Sequence, residues 1–330
     1  MISKVSVVIT AHNRKKYLMD AVKSVLNQKK ANSIVEVIVV KNFADQEIDT
    51  FLEIPNVKNI FTSEESFGRK LSTGIDAATG EIICFLDDDD MFRQDKISFI
   101  EKIFGENEDI LFAHNNMVAV AEDATFTDDD GWKNDELSYA SFSGGKLSGR
   151  SWGKILSARA DWYVSCISVK TEFARSISPV LFNSNRSLDK ILFLLGAHSG
   201  SIFATTRNKI TVYRKHESVT GLKMDPESFR QRKLNFTKES IKCINEACVA
   251  SEYNVNKFAL EFMLLKMNAN LTIYERKGRV NNLKVLSKVI SHLAKYGGKE
   301  FALISLLLFI NVLSNRLSLR MFKYTQTRDI

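Results

Sequence analysis

At 330 residues and 45% hydrophobic content, the chain can bury its own core, as one large domain with an appendage or as two domains. Its cysteines (Cys84, Cys166, Cys243, Cys248) form no Cys-x-x-Cys pair, which argues against a zinc site or a disulfide framework and for a reducing, cytosolic setting. The net charge of +7 is divided: residues 229–330 carry 18 Lys and Arg against 7 Asp and Glu, a net of +11, which leaves −4 on residues 1–228.

Met1-Ile2-Ser3-Lys4 leads straight into strand-like residues, so no signal peptide is expected. Val5 to Ile9 is a β-branched run and reads as a buried strand; Thr10-Ala11-His12-Asn13-Arg14 follows as a loop, with Asn13 placed to cap the next helix. In that helix Tyr17, Leu18, Ala21, Val22, Val25 and Leu26 recur at helical spacing. Val35 to Val40 is a second strand and Asn56 to Phe61 a short third. A helix over Lys70 to Ala78 is closed by Gly80. The strand Ile82 to Leu86 comes next, then a helix from about Asp95 to Phe104 and a strand from Ile110 to Val120. Residues 121–160, polar and rich in Gly and Ser, with Trp132 and Trp152, read as a functional or mobile loop region. Val164 to Val169 resumes strand character, Leu188 to Leu195 is helical, and Ile210 to Arg214 is a last strand. From Phe229 onward the pattern is helical, and a second unit starts near residue 225.

Strands alternating with helices predict an α/β fold with a mostly parallel twisted sheet and a helical C-terminal extension. Ligands of such sheets bind beyond the carboxyl ends of the strands, which places Asn13, Asn42 and Asp87–Asp90 on one edge. Four adjacent carboxylates at the end of an apolar strand repel one another, and a divalent cation, Mn²⁺ or Mg²⁺ shared with phosphate oxygens, gives them a purpose. The plain alternative is a solvated acidic turn.

Three segments in this order, Val5 to Arg14, Glu36 to Val40 and Gly80-Glu81-Ile82-Ile83-Cys84-Phe85-Leu86-Asp87-Asp88-Asp89-Asp90, resemble glycosyltransferase family 2 with the GT-A fold, over about residues 3–220. The resemblance implies a nucleotide-diphosphate sugar donor and inverting transfer to a glycan or lipid-linked glycan. The loop Thr10, Ala11, His12, Asn13, Arg14 would wrap the base, with His12 where the family usually has an aromatic ring. Arg69 or Lys70 would face the diphosphate, unless both are surface charges. Asp87 and Asp89 match the family's Asp-x-Asp as metal ligands, Asp87 also reaching the ribose; Asp88 belongs to the donor site and Asp90 supports it. In Ser187-Leu188-Asp189-Lys190, Asp189 takes the position of the general base although Leu188 replaces the usual Glu; its alternative is an acid favoured by the helix dipole. Tyr213-Arg214-Lys215-His216 matches a late segment that lets His216 approach the diphosphate. One departure is Lys41-Asn42-Phe43-Ala44-Asp45, where the family commonly has Asp-Asp-Gly-Ser; Asn42 both donates and accepts, so uracil specificity is not implied.

Two other readings compete. A sugar nucleotidyltransferase would carry a Gly-rich basic signature after the first strand, and Thr10 to Arg14 lacks it. A non-catalytic glycan- or membrane-binding protein of the same fold would have lost the acids, yet Asp87, Asp89 and Asp189 stand. Phe301 to Leu313 is apolar over only 13 residues, short of the roughly 20 a spanning helix needs. Leu306, Phe309, Ile310, Leu313, Leu317 and Met321 form a stripe followed by Arg316, Arg320, Lys323 and Arg328. This predicts either a peripheral anchor on an anionic membrane at the inner face of the cell, or helices that pack in the core or join a homo-oligomer. Nucleic acid, the other partner a basic tail attracts, is not expected beside this catalytic body.

Overall fold

The computed structural model describes residues 2–29, 31–122, 138–141, 155, 159–197, 201–216, 224–253, 255–275, 279–296, 299–314 and 317–321. Its strands are β1 (Lys4–Ala11), β2 (Ile34–Lys41), β3 (Val57–Phe61), β4 (Ile82–Asp87), β5 (Met91–Phe92), β6 (Ile110–Ala121), β7 (Ser138–Ser141), β8 (Ile167–Lys170) and β9 (Ile202–Lys215). Its helices are α1 (Leu18–Leu26), α2 (Gln46–Phe51), α3 (Phe67–Ala77), α4 (Lys96–Glu106), α5 (Thr171–Phe182), α6 (Leu188–Gly196), α7 (Pro226–Ala250), α8 (Lys257–Tyr274), α9 (Arg279–Tyr296) and α10 (Lys299–Leu313).

The strands form one sheet in the order β3-β2-β1-β4-β8-β6-β9-β5, with β7 also paired to β9. Pairs β1–β2, β1–β4, β2–β3 and β6–β9 are parallel, while β8 runs antiparallel to both its neighbours. This is the mixed α/β sheet of a GT-A fold, with helices on both faces and a helical C-terminal extension. Strand alternation sorts the core. Val8, Ile38, Val40, Ile83 and Phe85 point to a layer that includes α3, α5 and α6. Val5, Val7, Ile9, Val37, Val39, Cys84 and Leu86 point to the other layer, with α1 and α4. Both faces are buried, as parallel strands require. The C-terminal helices join the first layer through Ile244, Ala247, Ala259, Met263 and Met267, and build a further cluster around Phe262, Ile273, Val289, Leu307 and Leu308.

Several local expectations are corrected. Asn13 does not cap α1: Tyr17 holds that position without a side-chain bond, while Asn13 adopts a left-handed φ of 53°. Leu26 stands 40% exposed at the end of that helix rather than on its buried stripe. Gly80 is not a left-handed helix cap, because α3 turns extended already at Ala78. Gly80 is needed for close approach: a Cβ there would lie 2.6 Å from the Ser6 backbone N. Val164–Cys166 is a 3₁₀ turn, and strand β8 begins only at Ile167. β9 begins eight residues earlier than the apolar run, because Thr205, Thr206 and Asn208 are buried there despite their polarity. Trp132, Trp152, Arg316, Lys323 and Arg328 lie outside the described residues.

Candidate active site

In the sheet register Thr10 pairs with Asp87 and Ala11 with Lys41, so the ends of β1, β2 and β4 meet at one edge. The loop after β1 is locked to the end of β2. Asn42 Oδ1 accepts from the Asn13 backbone N–H at 2.9 Å, and its amide donates to His12 Nδ1 at 3.1 Å and to Asn13 Oδ1 at 3.2 Å. Asparagine tolerates the left-handed turn this requires at residue 13. Lys41, whose charge sits where the family's acid would be, is buried and turned away: Nζ pairs with Asp49 at 2.7 Å and donates to the Phe43 carbonyl.

Arg69 and Lys70 part company. Arg69 is ion-paired with Glu64 at 3.0 Å and lies over the Phe182 ring. Lys70 is buried, and its ammonium donates to His12 Nδ1 at 3.0 Å and to the Glu64 and Glu65 carbonyls at 3.0 and 3.1 Å. Its three protons are thereby used, so Lys70 props the His12 loop rather than pointing to a phosphate. His12 Nδ1 accepts from both Lys70 and Asn42, which puts the ring proton on Nε2. Burial first, then the Lys70 charge, lowers the His12 pKa and keeps the ring neutral.

Asp87, Asp89 and Asp90 each offer an oxygen within 4.8 Å of the others. Burial, followed by the neighbouring carboxylates, raises Asp87 well above the usual carboxylate range and Asp90 to about 8. Burial raises Asp88 to about 6, with Arg14 pulling the other way. Ser165, delivered by the turn before β8, accepts from the Asp87 N–H at 3.0 Å and donates to Asp90 Oδ2 at 2.6 Å. The Arg214 N–H donates to Asp90 Oδ1 at 3.3 Å. Arg14 pairs with Asp88 and, through Nη1, with Asp89 Oδ2 at 2.7 Å. His216 Nε2 lies 2.6 Å from the same Asp89 oxygen. An ionised carboxylate only accepts, so this nitrogen carries the proton, and Arg14 at 3.1 Å from it is a close contact and not a second hydrogen bond. Behind the cluster Lys96 is fully buried, donating to the Ser165 carbonyl at 2.7 Å and to Thr211; burial lowers it to about 8. A cavity of about 550 Å³ opens alongside, lined by Lys16, Tyr17, Asp20, Glu122 and Arg214.

Asp189 stands apart from this network, in the first turn of α6. It accepts from the Lys190 N–H at 2.9 Å and from the Tyr163 N–H at 3.3 Å, with the Lys190 ammonium 3.2 Å away. Lys190 and Lys266 of α8 both face buried Asp161; they hold its carboxyl below the ordinary value against the opposing effect of burial. Tyr163 packs at a tilt against Trp162 and Tyr213 with ring centres 4.5 and 5.0 Å apart. Tyr163 and Ser187 hold left-handed φ values of 63° and 55°, a strain that over-determined sites tolerate. The stretch Tyr163–Ser165 thus links the two centres, with Tyr163 on Asp189 and Ser165 on Asp87 and Asp90. Ser165, Lys96 and Tyr163 carry no motif, and only the fold brings them in.

Residues 6–151 match the family model described as Glycosyl transferase family 2. An uncharacterized glycosyltransferase of Nostoc sp. is 27% identical over 186 residues, covering 54% of this chain and 54% of the relative. One of Rickettsia conorii is 23% identical over 288 residues, covering 86% of this chain and 44% of the relative. The chain thus spans about half the length of these curated relatives. Among solved structures, S. aureus TarS 1-349 in complex with UDP-GlcNAc is 13% identical with a TM-score of 0.48, covering 92% of this chain and 90% of that chain.

Proposed function

The chain belongs to glycosyltransferase family 2 through residues 6–151, and on that premise we propose that it is an inverting glycosyltransferase moving a sugar from a nucleotide-diphosphate donor to a glycan or lipid-linked glycan. The observation that carries this is the trio Asp87, Asp89 and Asp90 on the same sheet edge as the Thr10–Arg14 loop and Asn42. All three groups are hard oxygen donors, which suits Mn²⁺ or Mg²⁺, and the buried Asp88 Oδ2 has no hydrogen-bond partner. Such an ion, when bound, offsets the charge that gathers on the departing diphosphate. Thr10, Ala11, His12, Asn13 and Asn42 hold the base, with His12 kept neutral by its surroundings. Arg14 and His216 supply donors beside the acids. Asp189 takes the proton of the acceptor hydroxyl, and the Tyr163 and Lys190 N–H groups fix its carboxylate for that task. Residues 1–225 form the catalytic unit in this reading and residues 226–330 an accessory one. Hydrolysis of UDP-, GDP- and dTDP-sugars with Mn²⁺, and its loss in EDTA, tests the assignment. No turnover of any donor would leave a binding protein of the same fold.

The accessory helices point to a surface. No helix of the described residues is long and apolar enough to cross a membrane. Yet Leu306, Phe309, Leu313 and Leu317 are 50, 54, 66 and 51% exposed, while Ile304, Leu307 and Leu308 on the other side are buried. Val280, Leu283 and Ile290 of α9 are exposed as well. An apolar stripe within a region of net +11 suits the rim of an anionic bilayer, where each nearby basic group contributes about 1 kcal/mol. In this reading the enzyme is cytoplasmic and peripheral on the inner membrane face. The full chain is expected to float with anionic liposomes at low salt and to release as screening shortens toward about 8 Å. Phe309→Ser with Leu313→Ser should weaken flotation. A chain that never floats assigns the stripe to a second copy, which sedimentation would detect.

A further inference from the structure

We propose that Arg14 is a built-in counter-cation for the acidic cluster, holding the charge position that a divalent ion takes over when a nucleoside diphosphate arrives, so that ion and nucleotide load together. This rests on the metal reading of the cluster given above. Three observations carry it. Arg14 Nη1 lies 2.7 Å from Asp89 Oδ2, one of the oxygens available to an ion, and Arg14 Nε donates to Asp88 Oδ1 at 3.1 Å. His216 lies against that same Asp89 oxygen, so the oxygen is committed twice over. Finally, Asp88 is only 3% exposed, its Oδ1 bound to Arg14 and its Oδ2 unpartnered, so this carboxylate depends on Arg14 for its neutralisation.

A guanidinium stays charged at any working pH. An ion entering among Asp87, Asp89 and Asp90 therefore meets a positive charge already on Asp89, and repulsion over a few ångströms of half-buried protein weakens its binding many-fold. A diphosphate changes the balance. Its oxygens offer the planar fork of Arg14 a matching bidentate partner. Arg14 sits on the loop between β1 and α1 with its side chain 32% exposed, so it can turn without disturbing the sheet. Asp89 then exchanges a guanidinium for the ion. The device keeps Asp88 and Asp89 paired while no substrate is present and keeps a loose ion from occupying the site alone.

The test is Mn²⁺ binding followed by the electron paramagnetic resonance signal of the free ion, a reading independent of turnover. It uses the full chain in mildly alkaline buffer, with Mn²⁺ alone and with UDP, GDP or dTDP in turn. Wild type should bind Mn²⁺ weakly alone and at least about tenfold more tightly with the nucleotide it accepts. Arg14→Gln should bind Mn²⁺ alone at least about tenfold more tightly than wild type, with little further gain from nucleotide. Equal affinity of wild type and Arg14→Gln for Mn²⁺ alone overturns the counter-cation role and leaves the metal site standing. Wild type binding Mn²⁺ as tightly alone as with nucleotide overturns it too, and that arm needs no variant to fold. Failure of wild type to bind Mn²⁺ with any of the three nucleotides overturns the metal reading together with the inference.

Discussion

Asp89→Ala is expected to lower sugar transfer by about a thousandfold, since an ion on the leaving diphosphate is worth several kcal/mol and each 1.36 kcal/mol is about tenfold in rate. The fold should survive. Asp87 and Asp90 are both raised by the Asp89 charge, so removing it relieves them. Arg14 keeps Asp88, and what is lost is its second contact and that of His216. The two effects oppose each other, and the melting temperature should move by only a few degrees. The measurement pairs turnover in saturating Mn²⁺ with a thermal melt of the apoprotein. Activity close to wild type in Asp89→Ala, or in the wild-type enzyme under EDTA, would show that the cluster does not serve the reaction.

Asp189→Asn is expected to cut turnover by about 10²- to 10⁴-fold, the usual range for removing a general base. Nucleotide affinity should hardly change, because Asp189 lies outside the hydrogen-bonded network of the Asp87–Asp90 edge. The amide keeps the shape and one acceptor oxygen. It loses the acceptor at the other position, a loss of about 1 kcal/mol. A merely structural role as a helix N-terminal acid predicts lower stability with turnover intact. Turnover, donor affinity and melting temperature measured on one preparation separate the two, and wild-type turnover would move the base to another residue.

The parts of this molecule legible in the sequence are those fixed by local chemistry. Val5–Ile9, Val37–Val40 and Ile82–Leu86 announce themselves because both sheet faces are covered and every position but Ser6 is apolar. The sharp change at Asp87 marks the edge for the same reason. What stayed hidden depends on distant partners. Lys70 has the composition of a surface charge, and only the carbonyls of residues 64 and 65 and the His12 ring explain its burial. The first half of β9 escaped because Thr205, Thr206 and Asn208 break the apolar alternation while lying buried in the sheet. Helix α5 contains Pro179, which reads as a breaker in a linear scan. Ser165 belongs to no motif at all. Its role follows from the reversal of β8, which brings the start of that strand, rather than its end, to the edge where the acids sit.

That reversed strand also dictates an order of assembly during synthesis. β4 and β6 are not hydrogen-bonded to each other; β8 lies between them, its paired residues about 86 and 55 positions further along the chain respectively. Until Lys170 has left the ribosome the edges of β4 and β6 that β8 joins stay unpaired, and the apolar surfaces beside them stay open. Nascent chains arrested before that point should be sensitive to protease and bound by holding chaperones, and protection should build as β8 and then β9, which pairs with β5, β6 and β7, become available. Residues 6–151, the stretch that matches the family model, stop short of β8 and β9 and so lack two strands of the sheet.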